Sequence, residues 1–243
     1  MAKKSLKERL IQKKKELKDR SSKGNLIFQK EGTIRVRLIP AGEDNDFIQE
    51  VIQFYLGATI KGVISPVTLG EACAIDERYQ ELKASDDGDD KDLAKSFSPK
   101  KRYLAPVIVY TDPKGKTIDK DNSGKMVLLS VGQYEKIIDL YLDTDEWGDM
   151  TDPETGYDLK LIRSGKGQLD TEYDVQPCKP TPIPKEWEGK EVNLEEMVRK
   201  IIPTYEETAE LMNQFLSGGT DEDDDESPKK KVLKKKKVLK KKK

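Results

Sequence analysis

Histidine is absent from the 243 residues. Its absence removes the commonest general base and the commonest transition-metal ligand. Ser-His-Asp and Cys-His catalytic arrangements are excluded, and so is any zinc site that needs an imidazole. Cysteine is nearly absent too: Cys73 and Cys178 are the only two, and they lie far apart. Free thiols in a reducing compartment are the expectation. Cys73 has no second thiolate nearby and reads as a small packed hydrophobe. No apolar run approaches the ~20 residues of a membrane span. The Lys-rich beginning lacks the apolar stretch of a signal peptide. The sequence therefore reads as a cytoplasmic protein with no membrane partner.

Net charge is also nearly absent, at −1, but this balance hides an asymmetry. Residues 1–23 carry ten Lys/Arg and three Asp/Glu, and residues 220–243 carry eleven Lys and six Asp/Glu. Taking these from the chain's 45 cations and 46 acids leaves 24 and 37 between them, so residues 24–219 stand near −13. Such a body repels polyanions unless its cations gather on one face. Three parts follow: a basic arm over 1–23, a folded core over 24–219, and a tail over 220–243. The arm is weakly amphipathic, with Leu6, Leu10, Ile11 and Leu17 at roughly helical intervals. The tail runs from the acidic cluster Asp221–Glu226 into a twice-repeated Val-Leu-Lys-Lys-Lys-Lys, a low-complexity composition that favours disorder.

The stretch Lys100-Lys101-Arg102-Tyr103-Leu104-Ala105-Pro106-Val107-Ile108-Val109-Tyr110 organises the core. Three cations lead into a ring and then into a β-branched run, which predicts a buried strand over 103–110. Asp112-Pro113-Lys114-Gly115 is a turn signal, and 125–131 predicts the strand that pairs back. Thr33–Ile39 alternates, with Ile34, Val36 and Leu38 on one face and Arg35 and Arg37 on the other. This predicts a strand with a cationic outer face. Further strands are predicted over 47–56, 157–163 and 170–175. Helices are predicted over 71–84 and over 133–142, where Tyr134 and Tyr141 belong to the packed face. Asn193 with Glu196, and Thr204 with Glu207, have capping-box spacing and open two more. The acidic, glycine-broken stretch Asp86–Asp92 reads as an exposed loop.

Two features touch on metal chemistry. Asp143, Asp145, Gly148 and Glu154 fall at positions 1, 3, 6 and 12 of an EF-hand loop, but Trp147 takes a ligand's place and Pro153 precedes the Glu. Asp119–Gly124 has only the first half of such a loop. Both read as turns with solvated acids, so no metal and no cofactor are expected.

The nucleic-acid signal is stronger. Lys100, Lys101 and Arg102 suit phosphates, and releasing counterions would make binding salt-sensitive. Phe97 and Tyr103 flank them as candidate platforms for unpaired bases. Arg163, Lys166 and Tyr173 repeat the combination of cation and ring after another strand. Two such clusters at strand ends fit a groove across a small β-barrel. The fold expected is α+β with a mainly β core: an OB-fold-like five-stranded barrel with added helices and disordered charged tails.

The order of parts resembles the single-stranded DNA-binding proteins of T4-like phages. Lys3-Lys4-Ser5 stands where that family has a basic arm motif used in cooperative, head-to-tail binding. Ile34-Arg35-Val36-Arg37-Leu38-Ile39-Pro40 is similar to its first core strand, and Lys100-Lys101-Arg102-Tyr103 to the basic segment entering the DNA cleft. Gly156–Leu161 and Asp170–Val175 resemble the later strands, where Tyr173 takes a base-contacting position. Two departures stand out. Cys73-Ala74-Ile75-Asp76 replaces a Cys-x-x-Cys and no His is present, so the family's structural zinc is not expected and packing must hold that region. Eleven lysines also follow the acidic tail.

The resemblance implies a non-enzymatic protein of the host-cell cytoplasm that coats single-stranded DNA in replication, recombination and repair. It implies that Asp221–Glu226 recruits replication and recombination proteins. Taken with the residue reading above, the candidate DNA contacts are Arg35, Arg37, Phe97, Lys100, Lys101, Arg102, Tyr103, Arg163, Lys166 and Tyr173. Two rivals remain at this level. One is an RNA-binding or nucleoid-type packaging protein driven by the lysine tail. The other is a metal-dependent enzyme using Asp143, Asp145 and Asp149.

Overall fold

The computed structural model describes residues 26–40, 47–60, 62–111, 124–165, 170–189 and 192–217. The arm residues Lys3, Lys4 and Ser5, the Asp119–Ser123 stretch, Lys166 and the tail from residue 220 lie outside them. The strands are β1 (Leu26–Ile27), β2 (Gly32–Leu38), β3 (Gln49–Tyr55), β4 (Gly62–Ile64), β5 (Lys100–Thr111), β6 (Lys125–Leu129), β7 (Tyr157–Ser164) and β8 (Glu172–Pro180). The helices of eight or more residues are α1 (Ala74–Ala84), α2 (Gly88–Ser96), α3 (Val131–Leu142), α4 (Leu194–Ile201) and α5 (Tyr205–Leu216). The expected α+β architecture with a mainly β, OB-like core holds, and β1 and β4 are short additions to it.

One sheet carries the order β1-β6-β5-β2-β7-β8, and the β3–β4 hairpin joins it through β5. Strand β5 is the axis. β6 pairs with it over Tyr103–Val107, while β3 pairs over Lys100–Leu104 and β2 over Val107–Thr111. β3 and β2 therefore share the edge opposite β6, one after the other. Pro106 sits where β3 has left and β2 begins. Its carbonyl accepts from Ile39 N–H at 3.0 Å on that edge. Its missing donor thus falls at the handover between two partners, where a ladder tolerates it.

Both faces of β5 are covered, which explains its unbroken apolar run. Tyr103, Ala105, Val107 and Val109 join a cluster with Ile34, Val36, Leu38, Leu159, Leu161 and Ile137 of α3. On the other face Leu104 packs with Val51, Met126 and Val198 of α4, and Ile108 with Ile39 and Trp187. The helix α3 begins at Ser130, where Ser130 and Gln133 form a full capping box.

A helical lobe of α1, α2 and α5 packs on β3 and β4. Cys73, 2% exposed, lies in its apolar cluster with Phe54, Leu82 and Met212. Phe97 stands at the centre, edge-on to Tyr79 at 6.0 Å and to Phe215 at 5.4 Å. The stretch expected as a loop over Asp86–Asp92 is instead largely helix α2. Asp87 caps it by accepting from Asp89 N–H at 2.9 Å, and Asp89 and Asp90 lie at the positive end of the helix dipole. Gly88 occupies the first helical position, where it breaks nothing. The last strand runs further than expected, through Pro177 and Pro180. As the outer strand of the sheet, β8 can carry both prolines.

Candidate nucleic-acid interface

The first residues of β5 alternate across the sheet, so Lys100 and Arg102 project to one side and Lys101 to the other. On the Lys100 side lies a groove of about 570 Å³. Its walls come from the β1–β2 connection (Phe28, Gln29), β3 (Gln53, Tyr55), Gly62 of β4, the end of β6 (Leu128, Leu129), Ser130, Arg163 of β7, Thr171 just before β8, and Tyr173 of β8. Arg163 and Tyr173 are cross-strand partners in the β7–β8 ladder, so the cation and the ring enter side by side. A Cβ on Gly62 would meet the Gln53 amide nitrogen at 2.0 Å, so only glycine leaves that side chain its place in the wall.

Two properties set this groove apart. Phe28, Tyr55 and Tyr173 are 46%, 43% and 37% exposed, and all three line it. No carboxylate among the described residues lines it. Among the described residues Lys100, Arg102 and Arg163 have no ion-pair partner. The Arg163 guanidinium is held, among the described residues, by neutral groups. Nη1 donates to the Gln29 carbonyl at 3.3 Å and Nη2 to Thr171 Oγ1 at 3.4 Å. On a body near −13, this is a local concentration of uncompensated positive charge beside open rings.

Several residues named from the sequence sit elsewhere. Lys101 pairs with Glu50 at 3.0 Å on the opposite side, and that hydrogen bond raises its pKa. Tyr103 is not an open platform. It is 9% exposed and stacks on Tyr134 at 3.8 Å, so one face is taken. Burial, then the nearby Glu50 carboxylate, push its hydroxyl pKa up. Phe97 is 1% exposed in the helical lobe and offers no face to a ligand. Sequence order put it beside the cations; its rotation around the end of α2 turned it inward.

The expected cationic outer face of β2 is also corrected. Arg37 is fully buried. Its Nε donates to Asp158 Oδ1 at 2.9 Å, its Nη1 to the Met150 carbonyl at 3.1 Å, and its Nη2 to the Thr181 carbonyl. Arg35 donates to Asp158 Oδ2 at 2.8 Å, lies over the Tyr110 ring, and is raised in pKa chiefly by the Asp158 hydrogen bond. A turn more than a hundred residues away covers the face that alternation alone assigns to solvent.

The acids of the EF-hand-like stretch serve their own turns. Asp143 Oδ1 accepts from Glu146 N–H, Asp149 Oδ1 from Thr151 N–H, and Asp152 Oδ1 from Glu154 and Thr155 N–H. The Thr155 hydrogen bonds, foremost, hold the Asp152 carboxyl below its usual range. Among the described residues no three metal-ligating side chains converge.

The sequence reading missed Phe28, Tyr55, Gln29 and Gln53. A signal for Tyr55 existed: it occupies the outward parity of a strand whose inward set is Ile52, Phe54 and Leu56. An aromatic on the outward side of an alternating strand is a candidate surface platform. Phe28 had no such signal, because β1 is only two residues long.

A family model described as gp32 DNA binding protein like matches residues 30–216, well over half of the chain. No curated protein matches it.

Proposed function

We propose, since the chain belongs to the gp32-like family of DNA-binding proteins, that it coats single-stranded DNA without regard to sequence. The observation that carries this reading is the groove's pairing of three open rings with three uncompensated cations. Rings can stack only on bases freed from pairing, and every base has a π-face. Cations meet phosphates, which carry no sequence information. Lys100, Arg102 and Arg163 are therefore phosphate contacts, and Phe28, Tyr55 and Tyr173 are base platforms. Lys166, two residues beyond the last residue of β7 in sequence, joins the cations in this reading. The protein would protect exposed strands during phage replication, recombination and repair in the host cytoplasm. Lys3, Lys4 and Ser5 would contact the next protomer along the strand. Asp221–Glu226 would meet replication and recombination proteins.

The first test is a titration of labelled single-stranded and duplex oligonucleotides of mixed sequence at two salt concentrations. A marked preference for single strands that weakens steeply with salt is expected. Equal affinity for duplex would overturn the reading. Repeating the titration without residues 228–243 should leave the preference intact; its loss would favour a packaging protein driven by the lysine tail.

The rings give a second prediction. Phe28→Ala, Tyr55→Ala and Tyr173→Ala should each cost roughly 1–3 kcal/mol of single-strand affinity. Melting temperatures should barely move, because these rings are open to solvent. Wild-type affinity in all three variants would remove stacking from the mechanism.

A further inference from the structure

Behind the groove wall lies a hydrogen-bonded pair of amides. Gln29 Nε2 donates to Gln133 Oε1 at 3.0 Å, and Gln133 Nε2 returns a bond to Gln29 Oε1 at 2.9 Å. Neither amide can be turned over. Gln133 Oε1 must also accept from Ser130 N–H at 3.2 Å, and Gln29 Nε2 must also donate to the Leu128 carbonyl at 3.0 Å. Gln133 is fully buried. The pair thus ties the first turn of α3 to the short β1–β2 connection across about a hundred residues of sequence.

The backbone carbonyl of Gln29 is the acceptor for Arg163 Nη1. Fixing the Gln29 side chain fixes the peptide whose carbonyl holds this guanidinium. We propose that Gln133 is a positioning residue of the groove, acting through Gln29 to hold Arg163 ready for a backbone phosphate. The proposal rests on the single-strand reading of the groove.

The chemistry of the clamp suits that task. A carboxylate would hold Arg163 more firmly, but it would cancel the charge a phosphate needs. Amides and carbonyls orient a guanidinium and leave its charge in place. Among the described residues the Nε of Arg163 has no partner, and two neutral contacts hold the guanidinium there. Such a pose is sensitive to its supports, because ordering a long side chain before binding removes an entropic cost from the binding step.

The test is a double-mutant cycle on the full chain, read as single-strand affinity and its salt dependence. The substitutions are Q133M, which keeps length and removes hydrogen bonding, and R163M, which removes the charge and its hydrogen bonds. R163M should weaken binding and flatten the salt slope. Q133M should weaken binding about five- to tenfold and flatten the slope in the same direction. In the R163M background Q133M should change neither quantity. A loss of general stability would not show that coupling, nor would it move the slope.

Should Q133M fail to fold, Q29M leaves the capping box of α3 intact and enters the same cycle. Full additivity of either variant with R163M overturns the clamp while leaving the groove reading standing. A wild-type affinity for R163M alone overturns the groove reading and the clamp with it.

Discussion

Replacing Lys100, Arg102 and Arg163 together by neutral residues of similar length is expected to lower single-strand affinity about a thousandfold at low salt. Hydrogen bonds to charged groups are worth roughly 1.5–3 kcal/mol each. Three at the lower end give about 4.5 kcal/mol, and about 1.4 kcal/mol corresponds to tenfold. The loss should apply to all sequences alike, because phosphate contacts position a strand without reading it. The dependence of log affinity on log salt should flatten by about 2, since each phosphate neutralised on a single strand contributes about 0.7. Lys101→Ala is the internal control. Lys101 faces away from the groove and is already paired with Glu50. It should stay within about twofold of wild type, as expected of an exposed ion pair worth about 0–1 kcal/mol. Unchanged affinity in the triple variant, or a Lys101 effect as large, would place the binding path on another face.

Arg37→Met should cost about 3 kcal/mol of folding stability while leaving the affinity of the folded protein unchanged. Removing one member of a buried ion pair strands the other, at about 3–5 kcal/mol. The low end applies because Arg35 still pairs with Asp158. The Met150 and Thr181 carbonyls also lose their guanidinium donor. Gly156 belongs to the same junction: a Cβ there would meet Arg37 Nη1 at 2.6 Å and the Asp152 carbonyl at 2.4 Å. Denaturant titration measures the stability loss, and oligonucleotide binding below the transition measures the site. A variant with full stability and weakened binding would return Arg37 to the interface.

Much of the framework was legible because it is local. Periodicity of two marks β2, β3 and β7, and continuous apolar character marks β5. Cap residues mark the starts of α4 and α5, and helical spacing marks α1 and α3. Each signal lies within about a dozen residues. Among the longer described helices, α2 was missed because its own acidity and its glycine hid it. Both sit at its N-terminus, where a helix accepts them.

The site was legible only in part, and the division has a physical cause. The sequence by itself determined that cations and rings recur at strand ends. It also determined that the core between the charged ends is strongly acidic, so that any polyanion site must be a local gathering of charge. The strand expected over 103–110 begins in the structure at Lys100, and alternation along that extension puts Lys100 and Arg102 on one side and Lys101 on the other. Only the tertiary structure decided which sides stay open. The 150–156 turn and Thr181 close over Arg37, α3 covers Tyr103 with Tyr134, and the helical lobe encloses Phe97. Strand pairing, in turn, brings Arg163 and Tyr173 to the same groove as Lys100 and Arg102, and adds Phe28 and Tyr55. Parity along a strand is fixed by covalent geometry, but burial is fixed by whatever distant segment packs on that face.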